Sequence, residues 1–172
     1  MTAATKSRPV RAADLGRDPV HWLAFGLGAG LSPKAPGTVG SLWGIVLFVP
    51  LASAEPWLQW GVAAFGFAAG VILCDISSRR LGVHDHPGIV VDEVVGCYLT
   101  LLLAPAGVVW IAAGFAAFRL FDIVKPRPIR DLDHRLGGGL GIMLDDVVAA
   151  LYAALLLLGL DWLIGWLTRA LS

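Results

Sequence analysis

Charge is scarce in this sequence. Of its 172 residues, 15% are charged and 57% are hydrophobic, whereas a soluble domain carries ~25% charged residues. Mean hydropathy is +0.75, which assigns much of the chain to lipid. Net charge is zero, from 13 basic and 13 acidic side chains. No basic surface is implied, and that excludes nucleic acid as a partner. Cysteine is also rare. Cys74 and Cys97 both lie in apolar stretches, so neither a disulfide framework nor a thiolate metal site is expected. Residues 1–20 are polar and carry Lys6, Arg8, Arg11 and Arg17 with no apolar core directly after them, which argues against a cleavable signal. Internal repeats and low-complexity segments are lacking too.

The gaps between charges outline the fold. Between Lys34 and Asp75 the only charge is Glu55; between Glu93 and Asp122 it is Arg119; between Asp146 and Asp161 there is none. Such gaps predict membrane helices, because every backbone polar group within lipid must be paired internally. The first gap holds two helices, Ser41–Ala54 and Trp57–Ile76, turning at Glu55-Pro56, since proline cannot continue the first. The second is another hairpin: Asp92–Ala104 and Val108–Asp122 are joined by Pro105-Ala106-Gly107. A last helix covers Ile142–Leu160. Residues 161–170 are expected along the membrane interface, with their tryptophans at headgroup depth. A short helix is expected over residues 20–31. The fold class is thus all-α: an integral membrane bundle of about five helices, some short of the ~20 residues of a full span. Residues 1–18 form a loosely ordered segment, and 19–172 a single domain.

Orientation follows from Lys and Arg. With a cytoplasmic N-terminus and five helices, every basic residue except Arg169 falls inside, as the positive-inside tendency requires. The same topology puts every acid except Glu55 and Asp161 inside. Acids do not steer topology, so their gathering needs a chemical explanation.

Four polar segments meet on that cytoplasmic face. The first, around Ser32-Pro33-Lys34-Ala35-Pro36-Gly37-Thr38-Val39-Gly40-Ser41, precedes a helix, where free N–H groups favour an anion. Lys34, Thr38 and Ser41 are candidate substrate-binding residues; the plain structural alternative is that Thr38 or Ser41 caps the helix. The Gly-Lys-Ser/Thr ending of a Walker loop is missing. The second segment runs from His84 to Glu93. Asp92 and Glu93 open a helix, where negative charge complements the dipole. Two adjacent carboxylates also repel, and a hard divalent ion such as Mg²⁺ resolves that. Gly96, one turn on from Asp92, permits close approach of another element. His86 is a candidate metal ligand, a candidate general acid or base, or a plain loop residue. The third segment spans Arg119–Arg130. Asp122 and Lys125 are three apart and can share one face, and Arg130 adds charge suited to a lipid phosphate or anionic lipid. The fourth, Gly137–Asp146, is a glycine-rich turn feeding a helix with paired Asp145 and Asp146. These two differ by about 100° around the helix, so one can ligate a metal while the other orients it.

Together these segments supply carboxylates for a metal, cations and N–H groups for a phosphate, and a place for an activated water. Metal-assisted phosphoryl transfer needs that mixture. Asp92, Glu93, Asp145 and Asp146 are the preferred Mg²⁺ ligands, with Asp122 next. A transporter would instead carry its acids near the bilayer midplane, and a lipid-binding scaffold would not need two carboxylate pairs. Cys74 and Arg80 have the C-x5-R spacing of cysteine phosphatases, but Cys74 ends an apolar helix, which makes a reactive thiolate unexpected.

The stretches GLGAGLSPKAPGTVGS, LGVHDHPGIVVDEVVG, FRLFDIVKPRPIRDLD and GGGLGIMLDD, in this order, resemble the phosphatidylglycerophosphatase A family across roughly residues 20–160. The resemblance implies a Mg²⁺-dependent phosphatase of the bacterial inner membrane. Its substrate would be phosphatidylglycerophosphate and its product phosphatidylglycerol, with the acyl chains left in membrane lipid.

Overall fold

The computed structural model describes residues 15–83, 86–127 and 137–171, and these contain helices and no strand. Helix α1 covers Pro19–Ala24 and is followed by a 3-10 segment, Gly26–Leu31. Then come α2 (Pro36–Leu51), α3 (Pro56–Leu81), α4 (Val91–Leu103), α5 (Val108–Val124) and α6 (Gly138–Leu171). The two hairpins turn where the sequence places them. Pro56 begins α3 as its first residue, where a missing N–H costs nothing. Gly107, at φ 130°, caps α5. Part of the segment expected to be loosely ordered, residues 1–14, lies outside the described residues. Within the rest of it, Leu15 is buried. Asp18 caps α1 by accepting the Val20 N–H at 3.0 Å and is ion-paired to Arg80 of α3.

Helix α4 is the hub, packed by α2, α3, α5 and α6. Small residues let its neighbours come close, as in membrane helix pairs generally. A Cβ added at Gly44 of α2 would lie 2.7 Å from the Val94 carbonyl oxygen and 2.8 Å from Cys97 Cβ. Buried Phe118, Cys97, Leu101, Ala149, Ala153 and Leu157 fill the space among α4, α5 and α6. At thirteen residues, α4 is about 20 Å long, short of the ~30 Å hydrocarbon layer; its neighbours, rather than lipid, cover most of it.

Among the described residues two helices, α3 and α6, are long and apolar enough to cross a membrane, and only 22% and 28% of their most apolar stretches are buried. Their apolar surface therefore faces outward, with Phe65, Ile72, Leu155 and Trp162 exposed. This is the surface of a helical membrane protein, because a soluble domain does not expose apolar area on this scale. One expectation is corrected. Residues 161–170 do not form a separate interfacial piece but continue α6 without a break to Leu171. No proline interrupts them, and Thr168 bonds back to the Ile164 carbonyl. The helix is about 51 Å long, more than a bilayer core requires.

The close packing of α2 on α4 generates a prediction. Gly44→Val should destabilise the purified protein in detergent by about 2–3 kcal/mol through overpacking. Gly61→Ala, with no atom within 4 Å of the added carbon, should leave the thermal midpoint essentially unchanged. Equal midpoints for both variants would refute the tight crossing.

Candidate active site

The start of α2, the start of α4, the end of α5 and the first turns of α6 meet around a cavity of about 310 Å³. Pro36, Gly37, Asp92, Glu93, Asp122 and Asp146 line it, together with Arg119 and Lys125. Asp92 and Glu93 occupy the first turn of α4, where the helix dipole favours negative charge. Asp146 reaches them from α6 because Gly96 has no side chain. A Cβ there would come within 2.7 Å of the Phe118 ring and 3.1 Å of Asp146 Cβ. One carboxylate oxygen from each of Asp92, Glu93 and Asp146 lies within 4.8 Å of the others. Asp92 and Asp146 are buried. Glu93 Oε2 and Asp146 Oδ2 are buried and have no hydrogen-bond partner.

The other predicted residues are dispersed around this trio. Asp145, although adjacent to Asp146, turns away and forms an ion pair with Lys125. The 100° between successive helical residues therefore separates the pair as the sequence suggested. Lys125 does not continue α5 beside Asp122. It ends that helix at φ 42°, a left-handed conformation that is costly for a residue with a Cβ, and pairs across the chain with Asp145. Asp122 is paired instead with Arg119. Ser41 caps nothing. Helix α2 already begins at Pro36, behind Ala35 at φ 49°, and the fully buried Ser41 hydroxyl donates to the Gly37 carbonyl at 2.8 Å. Lys34 is exposed and Thr38 half-buried; neither is on the cavity wall, which the loop reaches through Ala35, Pro36 and Gly37. His86 is buried. Its Nδ1 accepts the Gly88 N–H at 3.0 Å, and its ring stacks on Phe25 with centroids 5.8 Å apart; it too is off the wall. Arg130 and His84 lie outside the described residues. Cys74 is buried within continuous α3, which also carries Arg80, so no phosphate-wrapping loop joins them. Asp75 pairs with Arg79 at 3.0 Å and is not on the cavity wall.

Sequence reasoning did not single out Arg119. It lies at 3.8 Å from Glu93, is paired with Asp122 and reaches Ser41 Oγ at 3.5 Å. The signal was its isolation, as the lone charge in an otherwise apolar helix, three residues before Asp122. A Cβ on Gly37 would collide with Glu93 Oε1 and stand 3.0 Å from Arg119 Nη1, so only glycine leaves room for this pair.

A family model for phosphatidylglycerophosphatase A matches residues 22–161, a span that contains every residue of the cavity wall. The chain belongs to the phosphatidylglycerophosphatase A family. Phosphatidylglycerophosphatase A of Escherichia coli (strain K12) is 44% identical over 155 residues, covering 88% of this chain and 90% of its own. Its Haemophilus influenzae namesake is 43% identical over 92% of this chain and 98% of its own. A Bacteroides thetaiotaomicron protein, provisionally named a phosphatidylinositol-3-phosphatase, is 39% identical over 83% of this chain and 94% of its own. No solved structure matches. Membership of the phosphatidylglycerophosphatase A family makes the chain an enzyme, a phosphatase, and the acid-lined cavity is its candidate active site.

The Lys125–Asp145 pair yields a stability prediction. Asp145 is nearly buried, at 5% side-chain exposure, so Lys125→Met alone should cost about 2 kcal/mol by removing the cation from beside a buried carboxylate. Adding Asp145→Asn should recover at least half of that in a double-mutant cycle. Strictly additive losses, measured by thermal unfolding in detergent, would show that the pair is not coupled.

Proposed function

We propose that the chain hydrolyses the phosphomonoester of phosphatidylglycerophosphate, giving phosphatidylglycerol and inorganic phosphate, with Mg²⁺ held by Asp92, Glu93 and Asp146. The observation that carries this is the acid trio with its two buried, unpartnered oxygens. Its donors are hard carboxylate oxygens, which suit Mg²⁺. The charge around the cavity points the same way: Asp92, Glu93, Asp122 and Asp146 line it against Arg119 and Lys125. With Lys125 committed to Asp145, only Arg119 offsets these acids, which leaves negative charge for a divalent cation to offset. When bound, such an ion supplies charge stabilisation for the phosphoryl oxygens and lowers the pKa of a ligated water.

The chain's own residues do the rest. Arg119 and Lys125 offset the charge of the incoming phosphate. A carboxylate of the wall accepts the proton of the attacking water. Oxygen attacks phosphorus in line, the bond to the glycerol oxygen breaks, and that oxygen takes up a proton. The wall carboxylates are better placed for this than His86, whose Nδ1 is spent on Gly88. The glycerol headgroup sits at the cavity mouth while the acyl chains stay in the membrane. Among the described residues, most basic side chains lie on or beside the helix ends that bear this cavity, which supports a cytoplasmic site in the bacterial inner membrane.

Phosphate release by purified protein decides the reading. Phosphatidylglycerophosphate with Mg²⁺ should be turned over, excess EDTA should abolish release, and restored Mg²⁺ should recover it. Phosphatidylinositol 3-phosphate, offered in parallel, should be a poorer substrate. Asp92→Asn, Glu93→Gln and Asp146→Asn should each lower kcat by at least ~10³-fold with the protein still folded. Wild-type rates from the triple variant, or undiminished release in EDTA, would sink the metal-site proposal.

A further inference from the structure

The guanidinium of Arg119 is only half used. Its ion pairs with Glu93 and Asp122 and its hydrogen bond to Ser41 are made by Nη1. Nε is buried and has no hydrogen-bond partner, and the hydrogen bonds of Arg119 among the described residues all come from Nη1. An arginine side chain presents Nε–H and Nη2–H along one edge as two parallel donors, spaced to meet two oxygens of a phosphate at once. A buried donor left without a partner costs about 1–3 kcal/mol, so an unsatisfied Nε on a residue of the cavity wall points to a ligand that satisfies it.

The surroundings restrict what that is. Arg119 shares the cavity wall with Asp92, Glu93 and Asp146, so any anionic ligand would meet repulsion there unless a cation came with it. The side chain is also held in place. Asp122 lies one helical turn on, Ser41 reaches it from α2, and the bare Gly37 backbone leaves it room. Little rotamer freedom remains to be lost on binding. The other cation on the wall, Lys125, is already paired with Asp145.

We infer that the Nε–Nη2 edge of Arg119 is the phosphate-binding element of this site, gripping two non-bridging oxygens of the phosphomonoester while Nη1 stays on Glu93 and Asp122. This rests on the reading of the cavity as a phosphatase site and adds to it the residue that holds the group to be transferred. Lysine in its place keeps the charge and loses the two-pronged edge.

The test compares full-length wild type with Arg119→Lys in detergent, with inorganic phosphate as the probe ligand. Three quantities are measured: kcat/KM for phosphatidylglycerophosphate, the inhibition constant of phosphate, and Mg²⁺ affinity by calorimetry. The variant should lose on the order of 100-fold in kcat/KM and at least about tenfold in phosphate inhibition, with Mg²⁺ affinity within about threefold of wild type. Unchanged phosphate inhibition would overturn the inference and leave Arg119 as a counter-ion for the carboxylates. Parallel loss of phosphate and Mg²⁺ binding would also overturn it, since Arg119 would then be shaping the acid trio. Should the lysine variant fail to fold, Ser41→Ala takes its place. It removes one support of Nη1 and should weaken phosphate inhibition about threefold at constant Mg²⁺ affinity; no weakening would count against the inference. A wild-type protein that neither binds Mg²⁺ nor releases phosphate would instead refute the underlying functional reading.

Discussion

Three carboxylates held within 4.8 Å of one another, two of them buried, repel strongly. At an effective dielectric near 20, each ionised pair costs on the order of 3–4 kcal/mol at such separations. The rest of the site can be understood as the arrangement that tolerates this. Asp92 and Glu93 are placed at the positive end of α4. Arg119 is drawn in against Glu93 and Asp122, and Lys125 adopts a left-handed backbone to reach Asp145. Two cations do not offset that many acids, and the remaining imbalance is the ground for proposing a metal ion in the cavity.

The bundle is built to bring those acids together. Helix α4 is too short to span a bilayer unaided, and its neighbours surround it. Glycines at 37, 40, 44 and 96 let α2, α5 and α6 approach it, and the same approach delivers Arg119 and Asp146 to the first turn of α4. The packing and the chemistry therefore depend on the same small residues. An added carbon at Gly37 would strike Glu93, and one at Gly96 would press on Phe118 and Asp146.

Much of this was legible in the sequence. Charge gaps and the Pro56 and Pro105–Gly107 turns outlined both hairpins, because an uninterrupted apolar run and a proline break are local signals. The acid pairs stood out because charge is so rare here. What escaped was tertiary. Nothing local says that Asp146 faces inward while Asp145 faces Lys125, or that Ser41 holds an arginine 78 residues away instead of capping its own helix. Arg119 read as a lone charge in a membrane helix, since two of its partners, Ser41 and Glu93, come from other helices. The continuation of α6 through residues 161–170 was missed because their tryptophans and flanking charges suit an interface as well as a helix end.

The central claim is that Asp92, Glu93 and Asp146 together bind one divalent cation. Crystals grown with Mn²⁺ in place of Mg²⁺ test it most directly, through anomalous scattering from the metal. A single strong peak at bonding distance from all three carboxylates is the predicted result. No peak there, or a peak at Asp75 or Asp145 instead, would contradict the account.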